Sequence, residues 1–270
     1  MSKRPTLRAR VNTRLRNEIG RLLFALAIGL AKTSSLSFSQ MRLLARIPSS
    51  YDALSRWQLG RTKRVEPAMA VEGVRNVVLQ AETDRFALGT EALNFLDGRV
   101  RQLRPSAILE FGGGVSTVVL AACMSDIHGS DSPRVFSVYE SEGYLHETRR
   151  MLDDAGLAGC ARLAHREVRE QMFWGRRTPC YDLDDAFLRA FLETVPELLL
   201  VDGPSGGGMV RFGTLALALG HVGLPCTFFL DDALREDEIN VASLWQEVPE
   251  VELRTVHLVG HGLLEGRIVG

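Results

Sequence analysis

The stretch from Ala107 to Thr117, with the sequence AILEFGGGVST, constrains the fold of this chain more than any other. A short apolar run contains the acidic residue Glu110, glycines follow at positions 112, 113 and 114, and Ser116 and Thr117 open an apolar segment suited to a helix. This order predicts a β-strand, a tight turn and a helix N-terminus, where backbone N–H groups meet a ligand at close range. Glycines suit such a turn because no Cβ keeps the ligand away from the backbone.

Two kinds of cofactor site use a turn of this type, and the spacing separates them. A dinucleotide-binding fingerprint G-x-G-x-x-G that begins at Gly112 needs a small residue at position 117, where this chain has Thr117. The residues fit better the pattern acidic-x-Gly-x-Gly-x-Ser, which runs from Glu110 to Ser116. This pattern resembles motif I of class I S-adenosylmethionine (SAM)-dependent methyltransferases. A glycine-rich turn of some other α/β protein is the alternative.

A second buried strand is predicted from Arg134 to Glu140. In a βαβ unit, an acid at the tip of the second strand can accept hydrogen bonds from both ribose hydroxyls. Enzymes that bind NAD place an acid there as well, so Glu140 indicates a nucleoside without identifying it. A surface carboxylate at a strand end is the alternative interpretation.

Short apolar runs alternate with helical segments along the rest of the chain, which is typical of a parallel sheet covered on both faces. The further predicted strands are Ala161–His165, Glu197–Val201, Cys226–Leu230, Val251–Val259 and Leu263–Val269. The last two form a hairpin, so one of them must run antiparallel to its neighbour. The sequence therefore predicts a doubly wound α/β fold with a mostly parallel, seven-stranded sheet and a C-terminal antiparallel hairpin, the Rossmann-like plan of class I methyltransferases.

Acids directly follow two of these strands. Asp202 comes after the strand that ends at Val201, and Asp231 and Asp232 follow the strand that ends at Leu230. The carboxyl ends of parallel strands meet at one edge of a sheet, so these carboxylates would repel one another unless a cation or protons neutralise them. Hard oxygen ligands in this number suit Mg²⁺. Capping of loops or helix N-termini is the alternative role for the aspartates.

This arrangement is similar to that of metal-dependent O-methyltransferases of the catechol and macrocin types. Residues from about 85 to 270, with their VDGPSG and LDDALR segments, also look like a branch of bacterial class I methyltransferases associated with surface-glycan or secondary-metabolite pathways. The resemblance implies SAM as cofactor, together with Mg²⁺ held by Asp202, Asp231 and Asp232. The residues that it implies around the donor are Glu110, Phe111, Gly112, Gly113, Gly114, Ser116, Thr117, Glu140, Ser141, Glu167 and Asp202.

The chain departs from this resemblance at the position of the general base. The macrocin type carries a histidine three residues after the acid of the fourth strand, and the catechol type carries a lysine, but this chain has Ser205. The base is therefore unassigned, and Asp202 is the candidate for a catalytic role. His257 and His261 lie near the terminal hairpin and are expected at the surface. His165 is expected to border the adenine pocket with Glu167.

Residues 1–64 differ in charge from the remainder. They contain 14 Lys and Arg against two acids, although the whole chain has a net charge of −1. This asymmetry predicts a basic segment with its own partner, followed by a methyltransferase domain over residues 65–270. The ten apolar residues from Leu22 to Ala31 are too few to cross a membrane. They suit either a helix at the membrane surface, which would give residues 1–32 a membrane contact, or a helix that packs on the domain or on the partner in a homodimer.

The four cysteines are widely spaced and form no C-x-x-C pair, which fits a reducing cytoplasm. The sequence thus predicts a cytoplasmic methyltransferase, peripheral at the inner membrane face if residues 1–32 bind lipid, that methylates a hydroxyl oxygen of a small molecule or glycan. An RNA methyltransferase guided by the basic segment and a non-catalytic nucleoside-binding scaffold are the alternatives. Nucleic acid is disfavoured because the basic segment has few aromatic residues for base stacking.

Overall fold

The computed structural model describes residues 35–45, 66–69, 72–81 and 88–270. Its strands are β1 (Ser35–Ser37), β2 (Ile108–Phe111), β3 (Val135–Tyr139), β4 (Ala161–His165), β5 (Val168–Phe173), β6 (Arg176–Tyr181), β7 (Leu198–Val201), β8 (Cys226–Leu230), β9 (Val251–His257) and β10 (Leu263–Ile268). Its helices are α1 (Phe38–Ala45), α2 (Glu72–Ala81), α3 (Thr90–Leu103), α4 (Val115–His128), α5 (Glu142–Asp154), α6 (Asp185–Phe191), α7 (Phe212–Leu219) and α8 (Glu236–Trp245).

One sheet organises the chain, with the spatial order β1-β9-β10-β8-β7-β2-β3-β4. Strands β4, β3, β2, β7 and β8 pair in parallel, whereas β10 is antiparallel to both β8 and β9. The predicted doubly wound, mostly parallel sheet with an antiparallel C-terminal hairpin is confirmed. The strand order reverses between β2 and β7, and in open α/β sheets ligands bind at the carboxyl ends of the strands beside such a point.

The central strands are mostly apolar on both of their faces because helices cover both faces of the sheet. Leu109 and Phe111 of β2 enter the core on one face, which α1, α6, α7 and α8 cover, while Ile108 enters the core on the other face, beneath α2, α3 and α4. Each such side chain contributes about 1.5–3 kcal/mol through its burial. The acid Glu110 lies in this strand and is fully buried.

Three strands were not predicted, namely β1, β5 and β6. Strand β1 pairs antiparallel with β9 and makes the main sheet eight-stranded rather than seven-stranded. Strands β5 and β6 form a separate hairpin, turned by Trp174 and Gly175, both of which have positive φ. Its sequence mixes charged residues with Pro179, which argues against a strand in single-sequence analysis, yet Phe173 and Tyr181 anchor the hairpin on the core.

Residues 35–45 belong to the sheet and its core. Leu36 of β1 lies opposite Val256, and Phe38 and Met41 of α1 are buried in the same hydrophobic cluster as β9. The predicted boundary between residues 64 and 65 lies outside the described residues, as do residues 1–32 with their predicted membrane or dimer contact. Within the described ranges, no helix is long and apolar enough to cross a membrane.

Candidate active site

The three glycines of the turn after β2 serve different purposes. Gly112 has φ +78°, and a Cβ there would collide with the backbone of Gly203, the residue after Asp202. A Cβ on Gly113 would collide with the hydroxyls of Ser137 and Tyr139 beneath the turn. Gly114 has nothing within 4 Å of its Cβ position and lines the cavity. Two of the glycines therefore let strands approach, and one leaves room for a ligand.

Glu110 holds the start of α4 from below. Its carboxylate accepts hydrogen bonds of 2.6 Å from the hydroxyls of both Ser116 and Thr117, and the Thr117 hydroxyl in turn accepts one of 3.1 Å from the N–H of Gly114. Burial raises the pKa of Glu110, and the hydrogen bonds from Ser116 and Thr117 oppose that rise. The acid thus fixes the shape of the turn from within the core.

This geometry divides the residues predicted around the donor into two groups. The glycines at 112–114 and Ser116 line the cavity, whereas Glu110, Phe111 and Thr117 lie behind it and do not. Phe111 instead stacks on Tyr181, with ring centroids 5.5 Å apart. Glu110 and Phe111 belong to the buried strand β2 and Thr117 to the buried first turn of α4, so the core surrounds all three side chains.

Glu140 follows β3 and lines the cavity. Its Oε1 accepts a hydrogen bond of 2.9 Å from the backbone N–H of Ser205, and its Oε2 accepts one of 2.9 Å from the hydroxyl of Tyr181. Burial alone would raise the pKa of Glu140, but these hydrogen bonds outweigh it and lower the pKa, so the group stays a carboxylate. Ser141, which also lines the cavity, accepts from the N–H of Tyr144 and caps α5.

Glu167 lies elsewhere. It is exposed and pairs with Arg169 at 2.8 Å, and it does not line the cavity, contrary to its predicted place beside the donor. The chain passes from β4 directly into the β5–β6 hairpin, whose presence carries Glu167 away to the surface. His165 remains close to the site, because its Nε2 lies 3.2 Å from the carbonyl oxygen of Glu140.

The three predicted aspartates come together at the neighbouring strand tips. Asp202, Asp231 and Asp232 each offer a carboxylate oxygen within 4.8 Å of the other two. Two consecutive residues of an extended strand would point to opposite faces, but Asp232 has φ +57° and leaves the strand conformation. This left-handed turn lets both residues face Asp202. The donor set suits a hard divalent cation.

A buried arginine lies among these acids. The Nη2 atom of Arg211 lies 3.2 Å from the Asp202 carboxylate and 3.0 Å from that of Asp232. Its Nη1 donates to the carbonyl oxygen of Asp231 at 2.9 Å. Glu238, also buried, lies 3.7 Å from the same Nη1. Arg235 pairs with Asp232 at 2.7 Å from the solvent side. The four carboxylates outnumber the two guanidinium groups, so the cluster favours binding of a further cation.

His261 completes the cluster from the terminal hairpin. The N–H groups of Ala233 and Leu234 donate to the carbonyl oxygens of Gly262 and His261, which ties the loop after β8 to the β9–β10 turn. His261 Nδ1 therefore lies 3.4 Å from Asp232. The side chain is exposed, as the sequence predicts, and it also lines the cavity. His257 faces away and pairs with Glu265 at 2.9 Å.

One cavity of about 450 Å³ joins these parts. The glycine turn and Glu140 line it, and so do the acids with Arg211, Arg235 and His261. Its volume is within the range of small-molecule sites.

Solved structures share this fold. The O-methyltransferase TomG from Streptomyces achromogenes, involved in tomaymycin synthesis and solved with SAM, superposes with a TM-score of 0.53 at 13% identity, over 81% of this chain and 96% of its own. The O-methyltransferase from Bacillus cereus, solved with S-adenosylhomocysteine (SAH), superposes with a TM-score of 0.55 at 16% identity, over 81% of this chain and 99% of its own. PaMTH1 of Podospora anserina, a methyltransferase solved with SAH, superposes with a TM-score of 0.55 at 12% identity, over 83% of this chain and 97% of its own. The chain has the class I methyltransferase fold. No protein-family model matches the sequence, and no curated protein matches it.

In this methyltransferase fold the acid cluster is electrostatically strained. Burial and the neighbouring Asp231 raise the pKa of Asp202 well above its ordinary value, and burial with Asp232 raises the pKa of Asp231 to about 6. For Asp232, burial acts in the same direction, but His261 and Arg211 outweigh it and lower the pKa. Without a metal, Asp202 and Asp231 therefore compete for protons near neutral pH.

Sequence reasoning missed Tyr181, Arg211 and His261 as parts of the site. Arg211 had a signal, since buried carboxylates need a countercharge and this arginine follows Asp202 by nine residues. Tyr181 had none, because the hairpin that carries it was not predicted.

Proposed function

We propose that the protein is a SAM-dependent methyltransferase that transfers the methyl group to a hydroxyl oxygen of a small molecule or glycan. One observation carries the proposal: a single cavity connects the glycine turn and Glu140 to three convergent aspartates. A nucleoside-binding end and an oxygen-rich end in one cavity are what an in-line transfer from a bound donor to a bound hydroxyl requires.

The donor would occupy the end formed by the turn. Gly113 and Gly114 lead directly into the N-terminus of helix α4. The free N–H groups of a helix N-terminus favour a negatively charged group, such as the carboxylate of the donor's methionine part. Glu140 would accept from the ribose hydroxyls. The solved TomG and Bacillus cereus structures, which contain SAM and SAH, support this assignment by their fold.

The acceptor would occupy the end formed by the acids. Asp202, Asp231 and Asp232 would hold Mg²⁺, which when bound supplies a Lewis acid that lowers the pKa of an acceptor hydroxyl. Arg211 pairs with Asp202 at 3.2 Å and with Asp232 at 3.0 Å, which fixes the two carboxylates relative to each other. Alignment of donor and acceptor then supplies most of the rate, since the transfer is an in-line displacement.

The test is a methyl-transfer assay with isotopically labelled SAM and a panel of acceptors that carry vicinal hydroxyls, such as catechols and sugars. We expect turnover that needs Mg²⁺ or Mn²⁺, that chelator abolishes, and that Asp202→Asn removes. Full turnover in the presence of chelator would refute the proposed metal site and leave the aspartates as acceptor-binding groups. Absence of any donor binding would refute the proposed function itself.

Metal binding should strengthen as the pH rises. Burial and Asp232 raise the pKa of Asp231 to about 6, and burial and Asp231 raise that of Asp202 well above its ordinary value, so protons occupy the ligands in acid and the cation must displace them. Below these pKa values each displaced proton weakens the apparent affinity about tenfold per pH unit. Titration calorimetry with Mn²⁺ alone, at about pH 5 and about pH 7.5, measures this. Equal affinity at both pH values would contradict the assignment of these aspartates as ligands.

The predictions of membrane contact and of a homodimer concern residues 1–32, outside the described residues, and they stay predictions.

A further inference from the structure

Tyr181 is the residue that connects the parts of the donor end of the cavity, although it does not line the cavity itself. It is the last residue of β6 and is fully buried. Its ring stacks on Phe111, which precedes the glycine turn, with an interplanar angle of 22°. Its hydroxyl donates to Glu140 Oε2 at 2.9 Å and lies where a Cβ of Gly203 would be. One side chain thus contacts the tips of β2, β3 and β7.

Glu140 is held from two sides by these neighbours. Tyr181 donates to one carboxylate oxygen and the N–H of Ser205 donates to the other, each at 2.9 Å. An ionised carboxylate has about four acceptor sites, two on each oxygen. The two contacts, one on each carboxylate oxygen, fix the plane of the group, and Glu140 lines the cavity where the ribose hydroxyls would bind.

The direction of the hydrogen bond is also fixed. Burial and the adjacent Glu140 raise the pKa of Tyr181 well above its ordinary value, so the phenol keeps its proton and donates it. Glu140 is negatively charged and lines the cavity, and without Tyr181 its Oε2 would lose the 2.9 Å hydrogen bond that holds it from the hairpin side. A carboxylate held at one oxygen can rotate about its side-chain bonds, which weakens recognition of a paired diol.

We propose that Tyr181 is a positioning residue of the donor site, whose hydroxyl holds the Glu140 carboxylate in the orientation that binds the ribose diol. This inference rests on the proposed function and deepens it. It assigns a role to the β5–β6 hairpin, which pairs with no strand of the main sheet and delivers Tyr181 to Glu140. Tyr181 acts through Glu140 and does not contact the donor.

The test is a double-mutant cycle measured as SAM affinity by titration calorimetry on the full chain. Tyr181→Phe keeps the ring on Phe111 and removes only the hydroxyl, so the protein should fold, which the free energy of unfolding checks. We expect this variant to bind SAM about tenfold more weakly, on the scale of one hydrogen bond to a charged group. Glu140→Ala should weaken binding by about ten- to a hundredfold.

The cycle separates positioning from general stability. In the Glu140→Ala background, Tyr181→Phe should cause no further loss of affinity, because nothing remains for the hydroxyl to hold. Wild-type affinity in the single Tyr181→Phe variant, or the same tenfold loss in the Glu140→Ala background, would overturn the inference alone. A wild-type chain that binds no SAM would overturn the proposed function, and the inference with it.

Discussion

Replacement of Gly114 by leucine is expected to abolish SAM binding while the free energy of unfolding stays nearly unchanged. A Cβ at this position meets no protein atom within 4 Å, and the rest of the leucine side chain would extend from the wall of the cavity. It would take the volume that the donor needs, so the affinity should fall by about a hundredfold or more, or at least 2.7 kcal/mol. Calorimetric titration and chemical denaturation of the same sample measure both quantities.

The neighbouring and distant glycines supply the controls. Gly98→Leu in α3 also meets open space but lies outside the cavity, and it should bind SAM like the wild type. Gly112→Ala should instead reduce stability, because its Cβ would collide with the Gly203 backbone and its φ is +78°. Retained affinity in Gly114→Leu would contradict the position of the donor.

Arg211→Met is expected to cause the largest loss of stability of any single change in the site. Burial alone would lower the pKa of Arg211, but Asp202 and Asp232 raise it, so the guanidinium stays charged. Its removal would leave several buried carboxylates without their cation, which typically costs about 3–5 kcal/mol. Urea denaturation of the metal-free protein measures this loss.

The matched control is Arg189→Met, which removes an exposed arginine 3.9 Å from Asp185. Exposed ion pairs contribute below about 1 kcal/mol, so this variant should stay close to the wild type. An equally small effect of Arg211→Met would show that the cluster is neutralised by protons alone. Arg211 would then not be the countercharge that stabilises the buried aspartates.

The fold was predictable because its signals are local. The run Leu198–Val201 is apolar along its whole length and Cys226–Leu230 is so except at Thr227, which is typical of strands buried on both faces. Strand β1 was not predicted because it is only three residues long, and the β5–β6 hairpin was not predicted because its sequence is polar. Leu36 and Tyr181 acquire their significance only from partners more than 40 residues away in the sequence.

The site was predictable where a motif lies at a strand tip and not where distant segments meet. Glu140 and the three aspartates follow buried strands, so their common location follows from the sheet. Glu110 belonged to the right motif, but its contacts lie behind the turn. His261 reaches the site because backbone hydrogen bonds join the loop after β8 to the β9–β10 turn. No pattern of side chains in the sequence predicts these hydrogen bonds.

Equilibrium binding of labelled SAM to the full chain, with and without Mg²⁺, tests the central claim most directly. The account predicts saturable binding of one donor per chain with a dissociation constant of about 1–100 μM. Binding should be lost in Gly114→Leu and retained in Gly98→Leu. A wild-type chain with no saturable binding under either condition, or with binding that Gly114→Leu leaves intact, would contradict it.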